Sequence, residues 1–220
     1  MTRRDIVLFD LDGTLTDSGP GIMKAAQYAL RAWGIERPWQ ELSFFVGPPL
    51  SETFARFVPE AEFPAAVEKF REYYREDGWL DNAPYPGAAE MLAALRRGGC
   101  RLFVATSKLD TMAVRVLEHF GLLPYFEGVC GAPAGDPEAG KKVSVVRAAL
   151  RLADCTDLRR AVMVGDRAHD ILGGHQVGLE AVGVLYGYGS REELTEAGAE
   201  AIAAAPGDIV PLILPSGSVN

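Results

Sequence analysis

Cysteine is scarce in this 220-residue chain: Cys100, Cys130 and Cys155 are all it has, with no CxxC pair. An odd number of thiols with no CxxC pair argues against a disulfide framework. Each sits in or beside an apolar stretch, so buried free thiols in a reducing compartment are expected, and with them a cytoplasmic protein. Basic residues are outnumbered, 22 against 30 acidic ones, leaving a net charge of −8. That sign argues against a nucleic-acid polymer or an anionic membrane surface as partner. An anionic ligand would need local help from a metal ion, helix N-termini or a few placed lysines. Long apolar runs are missing too. Ile6–Phe9 ends at Asp10, too short for the apolar core of a signal peptide. No stretch approaches the roughly 20 residues of a membrane-spanning helix. What remains is ordinary for a globular chain, 48% hydrophobic and 24% charged. At this length roughly 70% of the unfolded surface can be buried, so a core forms without staples.

The texture changes along the chain. Ile6–Phe9 reads as a short strand ending in the polar turn Asp10-Leu11-Asp12-Gly13-Thr14. From Gly19 to Trp79 the pattern is helical and rich in aromatics. Ile22, Ala25, Ala26, Ala29, Leu30 and Trp33 recur at helical spacing before Gly34. Segments 50–58 and 64–79 read as further helices, separated from the first by a tight loop at Phe45-Val46-Gly47-Pro48-Pro49. After Tyr85-Pro86-Gly87, apolar strands alternate with helices. Strands are expected at 101–105, 128–131, 161–164 and 180–185, with helices at 88–97, 110–120, 142–152 and 170–176. That alternation predicts a doubly wound, mostly parallel, Rossmann-like α/β sheet with helices on both faces. The first strand must join it. A four-helix insert, residues 16–85, therefore interrupts an α/β core made of residues 1–15 and 86–220. The tail from Pro215 to Asn220 is expected to fray.

Three polar clusters follow three of the strands: Asp10 to Thr14, Thr106-Ser107-Lys108, and Gly165-Asp166-Arg167-Ala168-His169-Asp170. Open parallel sheets bind ligands outside the carboxyl ends of their strands. Taken singly, an Asp after a strand is most often a cap or an Asx-turn; the set in this order is another matter. Asp10 and Asp12 lie two apart on a turn, and Asp166 and Asp170 lie four apart on one helical face. Four carboxylates at one crevice repel unless a cation sits among them. Oxygen-only donors select a hard ion, with Mg²⁺ the natural candidate.

Phe9-Asp10-Leu11-Asp12-Gly13-Thr14-Leu15 resembles the DxDGT signature of the haloacid dehalogenase-like hydrolases. Val104-Ala105-Thr106-Ser107-Lys108 resembles their second motif, and Val162 to Asp170 their GDxxxD motif. The resemblance covers essentially the whole chain and is strongest to the branch with a helical cap, phosphoglycolate phosphatases and 5′-nucleotidases. It implies Asp10 as nucleophile, forming an aspartyl-phosphate, and Asp12 as the acid that protonates the leaving oxygen and later activates water. Thr106 and Ser107 would bind phosphoryl oxygens. Lys142, spaced before Val145-Val146 like the family's lysine, would offset charge; Lys141 stands beside it. Mg²⁺ would be held by Asp10, the Asp12 carbonyl, Asp166 and Asp170. The implied substrate is a small phosphorylated metabolite, and the implied assembly a monomer or homodimer. A β-phosphoglucomutase-like mutase and a non-catalytic regulatory protein of the same fold are the rivals. His119 and His175 read as structural and Lys108 as a residue at the mouth of the site. Ser18, Lys24, Gly47, Pro48 and Arg56 are candidates to line the substrate, weighed against plain loop or surface roles.

Overall fold

The computed structural model describes residues 4–136 and 138–214. Strand β1 (Ile6–Phe9) is followed by β2 (Thr16–Asp17) and three helices, α1 (Gly19–Arg31), α2 (Leu50–Phe54) and α3 (Phe63–Glu76). Strand β3 (Ala83–Pro84) then runs antiparallel to β2, with Thr16 beside Pro84. The helical segment thus leaves and returns through one narrow ribbon. Alternation follows: α4 (Ala88–Arg97), β4 (Arg101–Leu109), α5 (Asp110–His119), β5 (Gly128–Ala132), α6 (Lys142–Leu152) and β6 (Ala161–Gly165). The chain ends with α7 (Ala168–His175), β7 (Glu180–Val184), α8 (Arg191–Glu196), β8 (Ala201–Ala203) and α9 (Ile209–Ile213).

Six strands form one parallel sheet in the order β5-β4-β1-β6-β7-β8. Successive side chains point to opposite faces, and both faces are covered. Val7, Phe9, Val104 and Val164 pack on one side with α4 and α5; Ile6, Leu8, Phe103 and Met163 pack on the other with α6 and α7. Strands buried on both faces have to read as unbroken apolar runs, which is why these do. The expected doubly wound α/β sheet with an inserted helical segment is the fold.

Strand register places the chemistry. β1 lies between β4 and β6, with Phe9 level with both Val104 and Val164. Asp10, Thr106 and Asp166, just beyond those positions, emerge at one edge of the sheet. The chain builds β4 and β5 on one side of β1 and then crosses to β6 on the other. Such a reversal of strand order opens a crevice at the strand ends.

Local expectations change in several places. The insert carries three α-helices, not four, because Gly34, Pro38, Pro48, Pro49 and Pro59 break the intervening chain into 3₁₀ turns. α1 stops at Arg31, α2 at Phe54 instead of residue 58, and α7 begins at Ala168. β4 continues to Leu109, and its pairing with β5 shifts between Ala105 and Leu109. Strand β8 lies in an Ala-rich run that resembles helix more than strand. Cys100 is buried, but Cys130 and Cys155 are only partly so. The expected fraying of residues 215–220 falls outside the described residues. No helix among the described residues is long and apolar enough to cross a membrane.

Candidate active site

The Asp10 main-chain N–H donates to the Val164 carbonyl at 2.9 Å, carrying the β1–β6 pairing one residue past the strand. The chain then turns sharply, with the Leu15 N–H returning to Leu11 O at 2.9 Å. Leu11 and Leu15 are buried and anchor this turn in the core. Gly13 has φ +87°, and a Cβ there would lie 2.3 Å from Asp166 Oδ2. The turn therefore needs glycine twice, for its left-handed backbone and for the carboxylate packed against it.

Asp166 follows β6, and Asp170 lies in the first turn of α7, where it accepts the Arg167 N–H at 3.0 Å. Carboxylate oxygens of Asp10, Asp166 and Asp170 lie within 4.8 Å of one another, all three residues buried. Lys142, the first residue of α6, reaches into this group. Its ammonium is 2.7 Å from Asp10 Oδ1 and 2.7 Å from Asp170 Oδ1, and donates to Ala105 O at 3.1 Å. Lys141 turns outward to Glu138 at 2.7 Å. Asp12 stands apart from the other three carboxylates. Its two oxygens accept from Lys108 Nζ at 2.9 and 3.1 Å, and Lys108 also donates to the Tyr74 hydroxyl of α3 at 2.5 Å. Thr106 Oγ1 accepts the Lys108 N–H at 3.2 Å, whereas Ser107 Oγ is buried with no hydrogen-bond partner among the described residues. A buried hydroxyl left unpaired carries a free-energy cost that a ligand oxygen would relieve.

Charge dominates this crevice. Burial pushes the Asp10 carboxyl up to about 6, and Asp170 and Asp12 add to the rise against the pull of Lys142. Burial also lifts Asp166 well above the ordinary carboxylate range, helped by Asp170 and Asp10. Burial acts to raise Asp170 as well, but the Lys142 ammonium outweighs it and holds that carboxyl low. Lys142 and Lys108 are both raised, because their carboxylate and phenol partners outweigh the desolvation that opposes them. Four carboxylates thus face two ammonium groups, and the surplus negative charge sits on oxygen donors alone. That donor set fits a hard divalent cation.

Other candidates fall elsewhere. His119 packs edge-on against Trp79 at 5.1 Å, and His175 lies 3.2 Å from Glu200. Burial pulls His169 down to about 4, so it is neutral at pH 7. Lys24 pairs with Asp81, Arg56 lies over the Phe44 ring, and Ser18 is buried; Gly47 and Pro48 line the cavity beside the carboxylates.

Residues 186–190, just after β7, carry no pattern that marks them in the sequence, yet they hold Asp166. The Tyr188 N–H donates to Asp166 Oδ2 at 2.8 Å, and the Tyr186 hydroxyl donates to Thr14 O at 3.1 Å. A Cβ on Gly187 would lie 2.2 Å from the Gly13 carbonyl oxygen and 2.4 Å from Asp166 Cβ. Gly187→Ala is therefore expected to push Asp166 off its position and cost about 1–3 kcal/mol. Thermal unfolding should show the midpoint falling by several degrees; an unchanged midpoint would contradict this packing. Arg167 adds a second tie, donating to the Val46 carbonyl at 2.6 Å and to Glu193 at 2.9 Å.

The profile of the haloacid dehalogenase-like hydrolases matches residues 7–184. The chain belongs to that family. It is 41% identical over 189 residues to the tyrosine-protein kinase PtkA of Mycobacterium tuberculosis, covering 85% of this chain and 64% of that protein. It therefore spans less than two thirds of that relative's length. It is 38% identical over 193 residues to a 5′-nucleotidase of Pseudomonas aeruginosa, covering 86% of each. Among solved structures, one described as a predicted phosphatase from Clostridium acetobutylicum superposes with a TM-score of 0.93 at 36% identity. That superposition covers 97% of this chain and 99% of the other. Within the family, then, the chain keeps company with phosphatases as well as with a kinase.

Proposed function

We propose that this family member is a Mg²⁺-dependent phosphomonoesterase that hydrolyses a small phosphorylated metabolite through an aspartyl-phosphate. The observation that carries this reading is the division of the carboxylates. Asp10 sits among acids and beside Lys142, while Asp12 is held separately by Lys108. Two carboxylates in different environments suit two different tasks.

In the proposed sequence, an Asp10 oxygen attacks phosphorus, and the bond from phosphorus to the leaving oxygen breaks. Asp12 delivers a proton to that oxygen, releasing the alcohol. Asp12 then takes a proton from water as the water oxygen attacks the phosphoryl group. The bond to Asp10 breaks, leaving inorganic phosphate and free Asp10. Ser107, with its unpaired hydroxyl, and Thr106 donate to the phosphoryl oxygens, and Lys142 offsets the charge shared by Asp10 and phosphate. Asp10, Asp166, Asp170 and the Asp12 carbonyl would hold the metal. When bound, it neutralises charge that would otherwise keep a carboxylate from approaching a phosphate dianion. We assign residues 1–15 and 86–220 to the core and 16–85 to a cap over the site. The Tyr74–Lys108 and Val46–Arg167 hydrogen bonds support that assignment.

Removing the metal is the direct test. A chelator is expected to silence phosphate release, with Mg²⁺ restoring it and Ca²⁺, which accepts looser and higher coordination, supporting it poorly. Loss of Asp166 should raise the Mg²⁺ requirement more than loss of Asp170, which is also tied to Lys142 and the Arg167 N–H. The pH dependence has a defined sign. Asp10 in the metal-free fold carries its proton below about 6, so binding there must release it. Apparent Mg²⁺ affinity should therefore weaken as pH falls below that value and level off above it. Full activity in excess chelator would overturn the metal assignment. A mutase would share the intermediate but return the phosphoryl group to a sugar, so phosphate release without a diphosphorylated activator separates the two.

A further inference from the structure

Between α3 and the strand ends lies a cavity of about 430 Å³, with Asp12 and Ser107 among its lining residues. Helix α3 turns one stripe toward it, Phe63, Val67, Phe70, Arg71 and Tyr74, at helical spacing. Four of these are aromatic or aliphatic. Arg71 is neither.

Every other basic side chain of the helical segment has a partner. Lys24 is 2.7 Å from Asp81, Arg31 is 3.2 Å from Glu36, and Arg37 is 3.8 Å from Glu41. Arg56 lies over the Phe44 ring. On α3 itself, Lys69 takes Glu72 at 2.7 Å and Arg75 takes Glu68 at 2.5 Å. Glu68, one turn before Arg71 and within reach by spacing, is thus committed to another cation. Among the described residues Arg71 has no carboxylate, carbonyl or ring partner, and it lines the cavity half-buried. The other lining cation, Lys108, is occupied by Asp12 and Tyr74. The remaining lining acid, Asp136, accepts the Ala139 N–H.

We infer that Arg71 recognises an anionic group on the substrate's leaving group, a carboxylate or second phosphoryl group carried on an aromatic or aliphatic body. This rests on the phosphomonoesterase reading and specifies its substrate class. A guanidinium matches either anion through two parallel N–H donors, and a half-buried one with no internal partner is free to do so. The apolar walls match the body between the two anionic ends. A two-carbon acid phosphate would leave most of this volume to water.

The test is a matched pair, phenyl phosphate and 4-carboxyphenyl phosphate, assayed with Mg²⁺ on the wild type, Arg71→Met and Arg71→Lys. Comparing each variant's kcat/KM ratio with that of the wild type cancels the intrinsic difference between the esters. A charge-assisted contact of this kind corresponds to a preference of about 10- to 100-fold. The ratio for the carboxylated over the plain ester should fall by that factor in Arg71→Met, and by less in Arg71→Lys, which keeps the charge. A ratio unchanged in Arg71→Met overturns the inference while leaving the hydrolase reading intact. Failure of the wild type to turn over either ester overturns the hydrolase reading instead.

Discussion

Asp10→Asn is expected to lower phosphate release by several orders of magnitude while leaving the protein folded. The amide is nearly isosteric with the carboxylate and can still accept from Lys142, whose ammonium lies 2.7 Å from Asp10 Oδ1. What it lacks is the anionic oxygen that must bond to phosphorus. Loss of a covalent nucleophile removes the route itself, so the fall should resemble that seen when such groups are deleted from other enzymes. The fold should tolerate the change, because Asp10 is buried and already pushed up to about 6, so neutralising it relieves a desolvation cost. Lys142 keeps Asp170 at 2.7 Å as partner. Phosphate release and thermal unfolding on the same preparation check both halves. Retention of more than about 1% of activity by a folded variant would rule Asp10 out as nucleophile.

The second large effect depends on the leaving group. An alkyl phosphate departs as a strongly basic alkoxide, so general-acid help is worth about 10²–10⁴-fold. A nitrophenolate departs readily without it. In Asp12→Asn, single-turnover cleavage should therefore fall by about that factor for an alkyl ester and by much less for 4-nitrophenyl phosphate. Attack of water on the phosphorylated Asp10 should slow for both, because the base is gone. Rapid mixing with 4-nitrophenyl phosphate should then show a burst of nitrophenolate followed by slow turnover. Equal losses for both esters with no burst would reassign Asp12 to a structural part in the metal shell.

The features legible in the sequence are the local ones. Unbroken runs such as Ile6–Phe9 and Ala161–Val164 carry the signature of strands buried on both faces, so the parallel sheet could be read directly. Asp10, Thr106 and Asp166 could be placed together because each follows an apolar run that reads as a strand, and parallel strands run to the same side, although β4 itself continues past Thr106 to Leu109. The Asp166–Asp170 pair was expected on one helical face, but α7 begins only at Ala168, so Asp166 stands in the turn between β6 and α7 and meets Asp170 from there. What could not be read is how side chains far apart in the chain choose one another. Lys108 reaches Asp12 across 96 positions and Tyr74 across 34, and no periodicity encodes either pairing. The four acids were expected in one group; the structure gathers three and gives Asp12 its own cation. Tyr188 holds Asp166 through a main-chain N–H, which any residue would supply, so only the neighbouring glycines, Gly187 and Gly189, signal the close approach. Strand β8 escaped because its alanines favour helix, and pairing with β7 overrides that preference. Arg71 was hidden among ordinary helix-surface charges; only the partners taken by its neighbours single it out.

The account stands on a covalent phosphoryl group at Asp10, and intact-protein mass spectrometry of Asp12→Asn tests it most directly. Mixed with 4-nitrophenyl phosphate and Mg²⁺, this variant should gain the mass of one phosphoryl group, and peptide mapping should locate it on Asp10. The gain should vanish when Asp10→Asn is added. Release of phosphate by Asp12→Asn with no phosphorylated protein at any time during turnover would contradict the account.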